Sequence, residues 1–260
     1  AKKLSSGSYF IPVPKWRSVP DGIYDDCGHG TSMAGLIAAP RTTGGVVSGV
    51  AYQADFYAVR GTNDVFLDRG DEKDGVMEAV DLLADRNVNI VSMSLGHPFT
   101  IYRIRDAIRD AYKKGTMFIC AAGTSSDFLL DDLGVVIFPA NMSETVAVTG
   151  VIDQSTLKAG GRCHYGKKVD FAVTMERYGN KDRTALSLRK SGSTPDNSGG
   201  SSCATATFAG IAGLVWSQNL AQSRSQVLQH LINNSEKRTS RDKKFGWGRV
   251  NVYNAVRAVR

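Results

Sequence analysis

Between Ala51 and Ala122 the hydrophobic period switches repeatedly between about two and about 3.6, and this restricts the fold more than any other feature of the chain. Ala54, Phe56 and Ala58 alternate within Ala51 to Val59, which reads as a strand. Val76, Ala79, Val80 and Leu83 then recur at helical spacing, followed by the β-rich run Asn89 to Ser94. Ile101, Ile104, Ile108, Ala111 and Tyr112 mark a second helix, and Thr116 to Ala122 a further strand. Strands joined through helices predict an α/β fold: three αβα layers around a mostly parallel central sheet. Ligands of such sheets bind at the carboxyl ends of the strands. Ser94-Leu95-Gly96 and Ala121-Ala122-Gly123-Thr124 fall at two such ends.

The flanks are read in the same way. Residues 1–26 carry Pro12, Pro14 and Pro20 with little periodicity and read as an extended arm, so the domain is placed at 27–260. A short helix starts at His29. Thr145 to Gly150 and Val169 to Val173 read as strands, and about Met175 to Gly200 as a loop. An apolar helix from Ser202 to Trp216, a helix near Val227 to Asn233 and the turn-rich Phe245 to Asn251 complete the chain.

With 260 residues, 42% of them hydrophobic, the chain is long enough for one substantial core. Its 27 glycines indicate many tight turns. No apolar run approaches the length of a membrane span. No basic-then-apolar leader follows Ala1, so any targeting segment is expected to have been removed or never to have existed. The net charge of +7 comes from scattered Lys and Arg interleaved with acids, and reads as a solvated basic surface with no nucleic-acid role. Cys27, Cys120, Cys163 and Cys203 lack metal-binding spacing and are expected to be free thiols. The acids of Asp64 to Asp74 lack calcium-ligand spacing and read as a solvated loop; no cofactor is required, although structural calcium stays open.

Two stretches carry the candidate chemistry. Gly200-Ser201-Ser202-Cys203-Ala204-Thr205-Ala206 presents a small serine at a glycine-loosened turn where an apolar helix begins. There the positive end of the helix dipole faces any anion that forms beside it. Gly28-His29-Gly30-Thr31-Ser32-Met33-Ala34-Gly35 places a histidine in a similar setting. Taken alone, Ser202 reads as a helix cap and His29 as a structural histidine, but together, in these glycine-flanked settings, they suggest a serine nucleophile and its base.

These motifs resemble those of subtilisin-like serine proteases. His29-Gly30-Thr31 with Ala34-Gly35 is similar to the family's histidine motif, and Gly200-x-Ser202-x-Ala204 to its serine motif. Ser94-Leu95-Gly96, Ala121-Ala122-Gly123, Phe138-Pro139-Ala140 and Phe245 to Asn251 resemble further landmarks in the family's order. The resemblance implies peptide-bond hydrolysis through an acyl-enzyme, with Ser202 as nucleophile and His29 as general base. It places an oxyanion hole at Ser202 and Thr124, and substrate pairing at Ser94, Leu95, Gly96, Ala121, Ala122 and Gly123. Ile137 becomes a wall of the pocket for the side chain before the scissile bond, which favours small or medium side chains there. Secretion or a cell-envelope location is slightly favoured by the same resemblance.

The chain departs from the family's pattern at the acid. The family's order is acid, histidine, serine, with the acid about thirty residues before the histidine. Asp21, Asp25 and Asp26 precede His29 but sit in the polar arm and read as turn and surface residues. Three alternatives stay open. An N-terminal fragment carrying an acid strand is cleaved off and retained non-covalently, or missing; the acid is absent and the domain is a peptide-binding pseudoprotease; or a local aspartate has taken the role. An inhibitory propeptide is a further expected partner. Thr124 stands where the family presents an asparagine, a longer donor to the oxyanion.

Overall fold

The computed structural model describes residues 2–3, 9–12, 25, 27–41, 45–125, 135–179, 182–189 and 194–259. In chain order the strands are β1 (Lys2–Lys3), β2 (Tyr9–Pro12), β3 (Tyr57–Arg60), β4 (Ile90–Met93), β5 (Met117–Ala121), β6 (Thr145–Asp153), β7 (Phe171–Arg177), β8 (Ala185–Ser187) and β9 (Asp196–Ser198). The helices are α1 (His29–Ala38), α2 (Gly70–Asp85), α3 (Tyr102–Lys113), α4 (Gly200–Trp216), α5 (Arg224–Asn233) and α6 (Val252–Val259).

Strand β5 shows how the layers arise. Each of its residues is buried, and successive side chains point to opposite faces. Met117 and Ile119 join Phe208, Ala209 and Ala212 of α4 in one core, while Phe118 and Cys120 join Val76, Val80, Ile104 and Ile108 of α2 and α3 in the other. A strand covered on both faces needs a continuous apolar run, and Met-Phe-Ile-Cys-Ala supplies one. Phe171 of β7 stacks on Phe208 with ring centroids 4.6 Å apart, which anchors α4 across the sheet. Strands β4 to β7 run parallel in the order β4-β5-β6-β7.

The sheet is interrupted at one place. Strand β3 pairs in parallel with β2, and β2 antiparallel with β1, as a separate three-stranded sheet. Among the described residues β3 and β4 do not pair along their lengths, yet their continuations meet at a parallel bridge between Phe66 and Gly96.

Several sequence expectations need correction. The stretch read as an extended arm outside the strand-and-helix pattern contains β1 and β2; the partner of β2 is far along the chain, so nothing local announced it. Of the stretch Ala51 to Val59 only the residues from Tyr57 onward are strand, in β3 (Tyr57–Arg60), because Ala51 N–H is already bound to Ile37 O at 2.8 Å and Ala54 N–H closes a turn onto Ala51 O. The stretch from Met175 to Gly200 holds the end of β7 and the antiparallel pair β8–β9. Helix α6, which was not anticipated, buries Ala255.

Candidate active site

Helix α4 begins at Gly200, two residues before the sequence reading placed it, so Ser202 lies in its first turn. First-turn N–H groups have no acceptor within their own helix, and Ser202 N–H therefore faces outward at the positive end of the dipole. Gly200 has φ +86° and a Cβ there would lie 3.3 Å from Thr124 Oγ1, so this turn requires glycine. Ser94 Oγ donates to Ser202 O at 2.9 Å, joining the end of β4 to the first turn of α4.

His29 is the first residue of α1, after Gly28 with φ +81°. Helices α1 and α4 pack together: Ile37 lies as far beyond His29 as Gly210 lies beyond Ser202, and the Gly210 Cβ position is 3.3 Å from Ile37 O. Ser32 Oγ donates to Leu188 O at 2.7 Å, and Ser187 Oγ donates to Ser32 O, which fixes α1 to the β8 segment. Among the described residues no hydrogen bond joins His29 to Ser202. A loose nucleophile–base pair is common before substrate binds. Burial holds the His29 pKa below the usual 6.5, against the opposing pull of Asp25 and Asp64.

The one described carboxylate that precedes His29 is committed elsewhere. Asp25 Oδ1 accepts from Gly28 N at 2.8 Å, and Oδ2 accepts from Thr31 N at 2.6 Å, so Asp25 caps the start of α1. Burial alone would raise its pKa, but the Thr31 and Gly28 donors and the charge of His29 hold it below the usual value. This agrees with its reading as a turn residue. Asp21 and Asp26 lie outside the described residues.

Thr124 is bound to the residue beside Ser202. Its Oγ1 accepts from Ser201 N at 3.0 Å and shares a hydrogen bond with Ser201 Oγ at 2.8 Å. The hydroxyl has one proton, so it can donate to an oxyanion only when Ser201 supplies the proton of the shared bond. Ser201, Ser125 and His164 were not singled out in the sequence, since a buried serine or histidine has no local pattern.

The substrate-pairing candidates lie at the carboxyl ends of β4 and β5, but several of their backbone groups already have partners. Gly96 N donates to Val65 O at 2.9 Å, and Gly96 O accepts from Leu67 N at 3.2 Å. Ala122 N donates to Val148 O, Ala122 O accepts from Ile137 N, and Gly123 O accepts from His164 N. Ala121 continues the ladder with Val148, and Leu95 is half-buried. A peptide adding beside Gly96 must therefore displace Val65 to Leu67. Ile137 bears on the same place: its Cδ1 is 2.5 Å from the Gly96 Cβ position.

All four cysteines are free. Burial pushes the Cys203 thiol up to about 11, so the residue beside Ser202 is not a thiolate nucleophile at neutral pH. The acids of Asp64 to Asp74 are used locally: Asp64 Oδ1 accepts from Val65 N, Asp71 pairs with Arg69, and Asp74 pairs with Arg103. Among the described residues no group of three or more His, Cys, Asp or Glu converges as a metal site, and no helix is long and apolar enough to cross a membrane.

Comparison with known proteins places this geometry among relatives. The model of the subtilase family matches residues 8–248, which include β2 as well as the histidine and serine motifs. Alkaline elastase YaB from Bacillus sp. (strain YaB) is 29% identical over 265 residues, covering 98% of this chain; the chain spans only 60% of that relative's length. Subtilisin Savinase from Lederbergia lenta is 29% identical over 259 residues, covering 98% of this chain and 84% of its own. Among solved structures, the S41 psychrophilic protease superposes with a TM-score of 0.72 at 25% identity, covering 88% of this chain and 79% of its own.

Proposed function

We infer that this chain, which belongs to the subtilase family, is a serine endopeptidase acting through an acyl-enzyme on Ser202. The observation that carries this reading is the packing of α1 against α4, with His29 and Ser202 each in the first turn of its helix. In this mechanism Ser202 Oγ attacks the scissile carbonyl carbon while His29 takes the hydroxyl proton. The resulting oxyanion is held by Ser202 N–H and the Thr124 hydroxyl. Collapse of the tetrahedral intermediate expels the amine, which receives the proton from His29. Water, deprotonated by His29, then hydrolyses the acyl-enzyme and regenerates Ser202.

The acid that orients His29 is assigned to an added strand. Asp25 is committed to Gly28 and Thr31, while among the described residues β3 and β4 belong to separate sheets whose continuations meet in parallel at Phe66 and Gly96, close to the site. An apolar strand parallel to both and ending in a carboxylate would join the two sheets there and deliver its acid on the side of His29. Substrate is read as an extended peptide, small or medium in the residue before the scissile bond because Ile137 crowds Gly96.

A second reading, a peptide-binding pseudoprotease, draws on the absence of a carboxylate bonded to His29 among the described residues. Loss of the triad acid lowers kcat by about 10⁴ and leaves residual catalysis. Labelling with a fluorophosphonate separates the two. The enzyme reading expects Ser202 to label and Ser202→Ala to abolish it; peptide affinity without any labelling establishes the pseudoprotease. Mass spectrometry of the native protein tests the added strand by the presence or absence of a co-purifying fragment ending in Asp.

A further inference from the structure

A second serine–histidine pair lies behind the candidate oxyanion hole, and neither member takes part in the proton transfers above. Ser125 and His164 are 7% and 4% exposed, and Ser125 Oγ lies 2.5 Å from His164 Nε2. The pair closes a short antiparallel contact around Thr124. His164 N donates to Gly123 O at 2.9 Å, Ser125 N donates to Arg162 O at 3.0 Å, and Thr124 bridges to Cys163 between them. Thr149 Oγ1 donates to His164 O, which ties this segment to β6. The imidazole occupies space that only glycine leaves: a Cβ on Gly123, whose φ is +122°, would lie 2.4 Å from His164 Nδ1.

Thr124 thus sits in a short extended segment held through Gly123 O and Ser125 N by the 162–164 segment, and its own hydroxyl holds Ser201 N–H. Ser201 precedes the nucleophile in the first turn of α4. A continuous path of hydrogen bonds and chain runs from His164 through Ser125 and Thr124 to Ser201 and Ser202. Both proposed oxyanion donors, the Thr124 hydroxyl and Ser202 N–H, lie at the end of it. Oxyanion donors act only when they are fixed before charge develops, and small displacements are costly.

We propose that His164, through its hydrogen bond to Ser125, is a positioning residue that fixes the oxyanion-binding side of this site. The role rests on the reading of Ser202 as an acylating nucleophile. The pair touches no substrate and transfers no proton; it holds the segment from which Thr124 reaches Ser201. Its absence would weaken binding of the tetrahedral intermediate and leave ground-state peptide binding alone.

The test uses Ser125→Ala, which removes only the hydroxyl, with Ser125→Thr and His164→Gln as variants that keep a hydrogen-bonding atom. The readouts are kcat and KM for a peptide substrate, and the Ki of a peptide aldehyde, whose hemiacetal places an oxygen in the oxyanion hole. Ser125→Ala should lower kcat about 10-fold, below the 10²–10³ for deleting a donor outright, with KM within about twofold. The aldehyde should weaken by a similar factor, while the corresponding non-reactive peptide alcohol binds as before. Ser125→Thr should recover most of kcat, and His164→Gln part of it. Active wild type with an unchanged kcat and aldehyde Ki in Ser125→Ala overturns this role alone, even if the melting temperature falls. Wild type that neither hydrolyses peptide nor labels with fluorophosphonate overturns the protease reading, and this role with it.

Discussion

Thr124 Oγ1 accepts the backbone N–H of Ser201 at 3.0 Å across a sequence separation of 77 residues, and joins Ser201 Oγ at 2.8 Å. The bond connects the end of β5 to the start of the helix that presents Ser202. Ser201 is 1% exposed, so both of its groups would be left buried without this partner if the hydroxyl were removed. Thr124→Val, which keeps the shape, is expected to cost about 1–3 kcal/mol of stability by chemical denaturation, whereas Thr124→Ser keeps most of it. Equal stability for the valine and serine variants would show that Ser201 finds another partner.

The His29 pKa gives a pH profile with a defined sign. Burial lowers it from 6.5, and Asp25 and Asp64 oppose the shift. The competent base is neutral imidazole, so kcat/KM should hold at pH 6.5 and fall only below it. Asp64→Asn removes one opposing charge and should move the acidic limb to still lower pH. A limb that stays in place would put Asp64 outside the field of His29. Unfolded chain binds the His29 proton more readily than the fold does, so this residue's contribution to stability is lost as pH falls below 6.5.

Asp25 separates a cap from a catalytic acid. As a cap on α1, Asp25 accepts through both oxygens, so its replacement by Asn, which keeps one acceptor, should cost about 1 kcal/mol at neutral pH and lower kcat less than 10-fold. Its folded pKa lies below the ordinary 3.8, so its contribution is present above that value and is lost as pH falls through the folded pKa. The stabilities of wild type and Asp25→Asn should therefore converge in strong acid. A loss in kcat approaching 10⁴ would instead identify Asp25 as the orienting acid.

The proposed role of Ile137 in limiting the side chain accepted before the scissile bond can be tested directly. Its Cδ1 stands 2.5 Å from the Gly96 Cβ position, in space that a large side chain would need. Ile137→Gly should raise kcat/KM for peptides with phenylalanine at that position by about 10-fold or more relative to alanine, the scale of a few methylenes in a pocket. Efficient cleavage after phenylalanine by the wild type in a peptide library would remove Ile137 from the pocket.

Helix α3 and strand β5 were legible because burial on one stripe, or on both faces, leaves a periodic trace; Ile104 and Ile108, and the run from Met117 to Ala121, are that trace. Ala51 to Val59, with Ala54, Phe56 and Ala58 alternating, reads as a strand throughout, yet its start turns because Ala51 N–H binds Ile37 O of helix α1. Strand β2 carries no comparable trace, since its pairing with β3 joins segments far apart in sequence.

At the site the division is the same. The chain by itself determined where a serine and a histidine could be presented, since glycine-loosened helix starts and the small residues after them are local properties of Gly28 to Gly35 and Gly200 to Ala206. Only the tertiary structure decided which polar groups satisfy one another: Asp25 caps α1, Thr124 binds Ser201, His164 binds Ser125, and Val65 to Leu67 covers the Gly96 edge. A buried donor or acceptor must find a partner wherever packing brings one, and that choice is non-local.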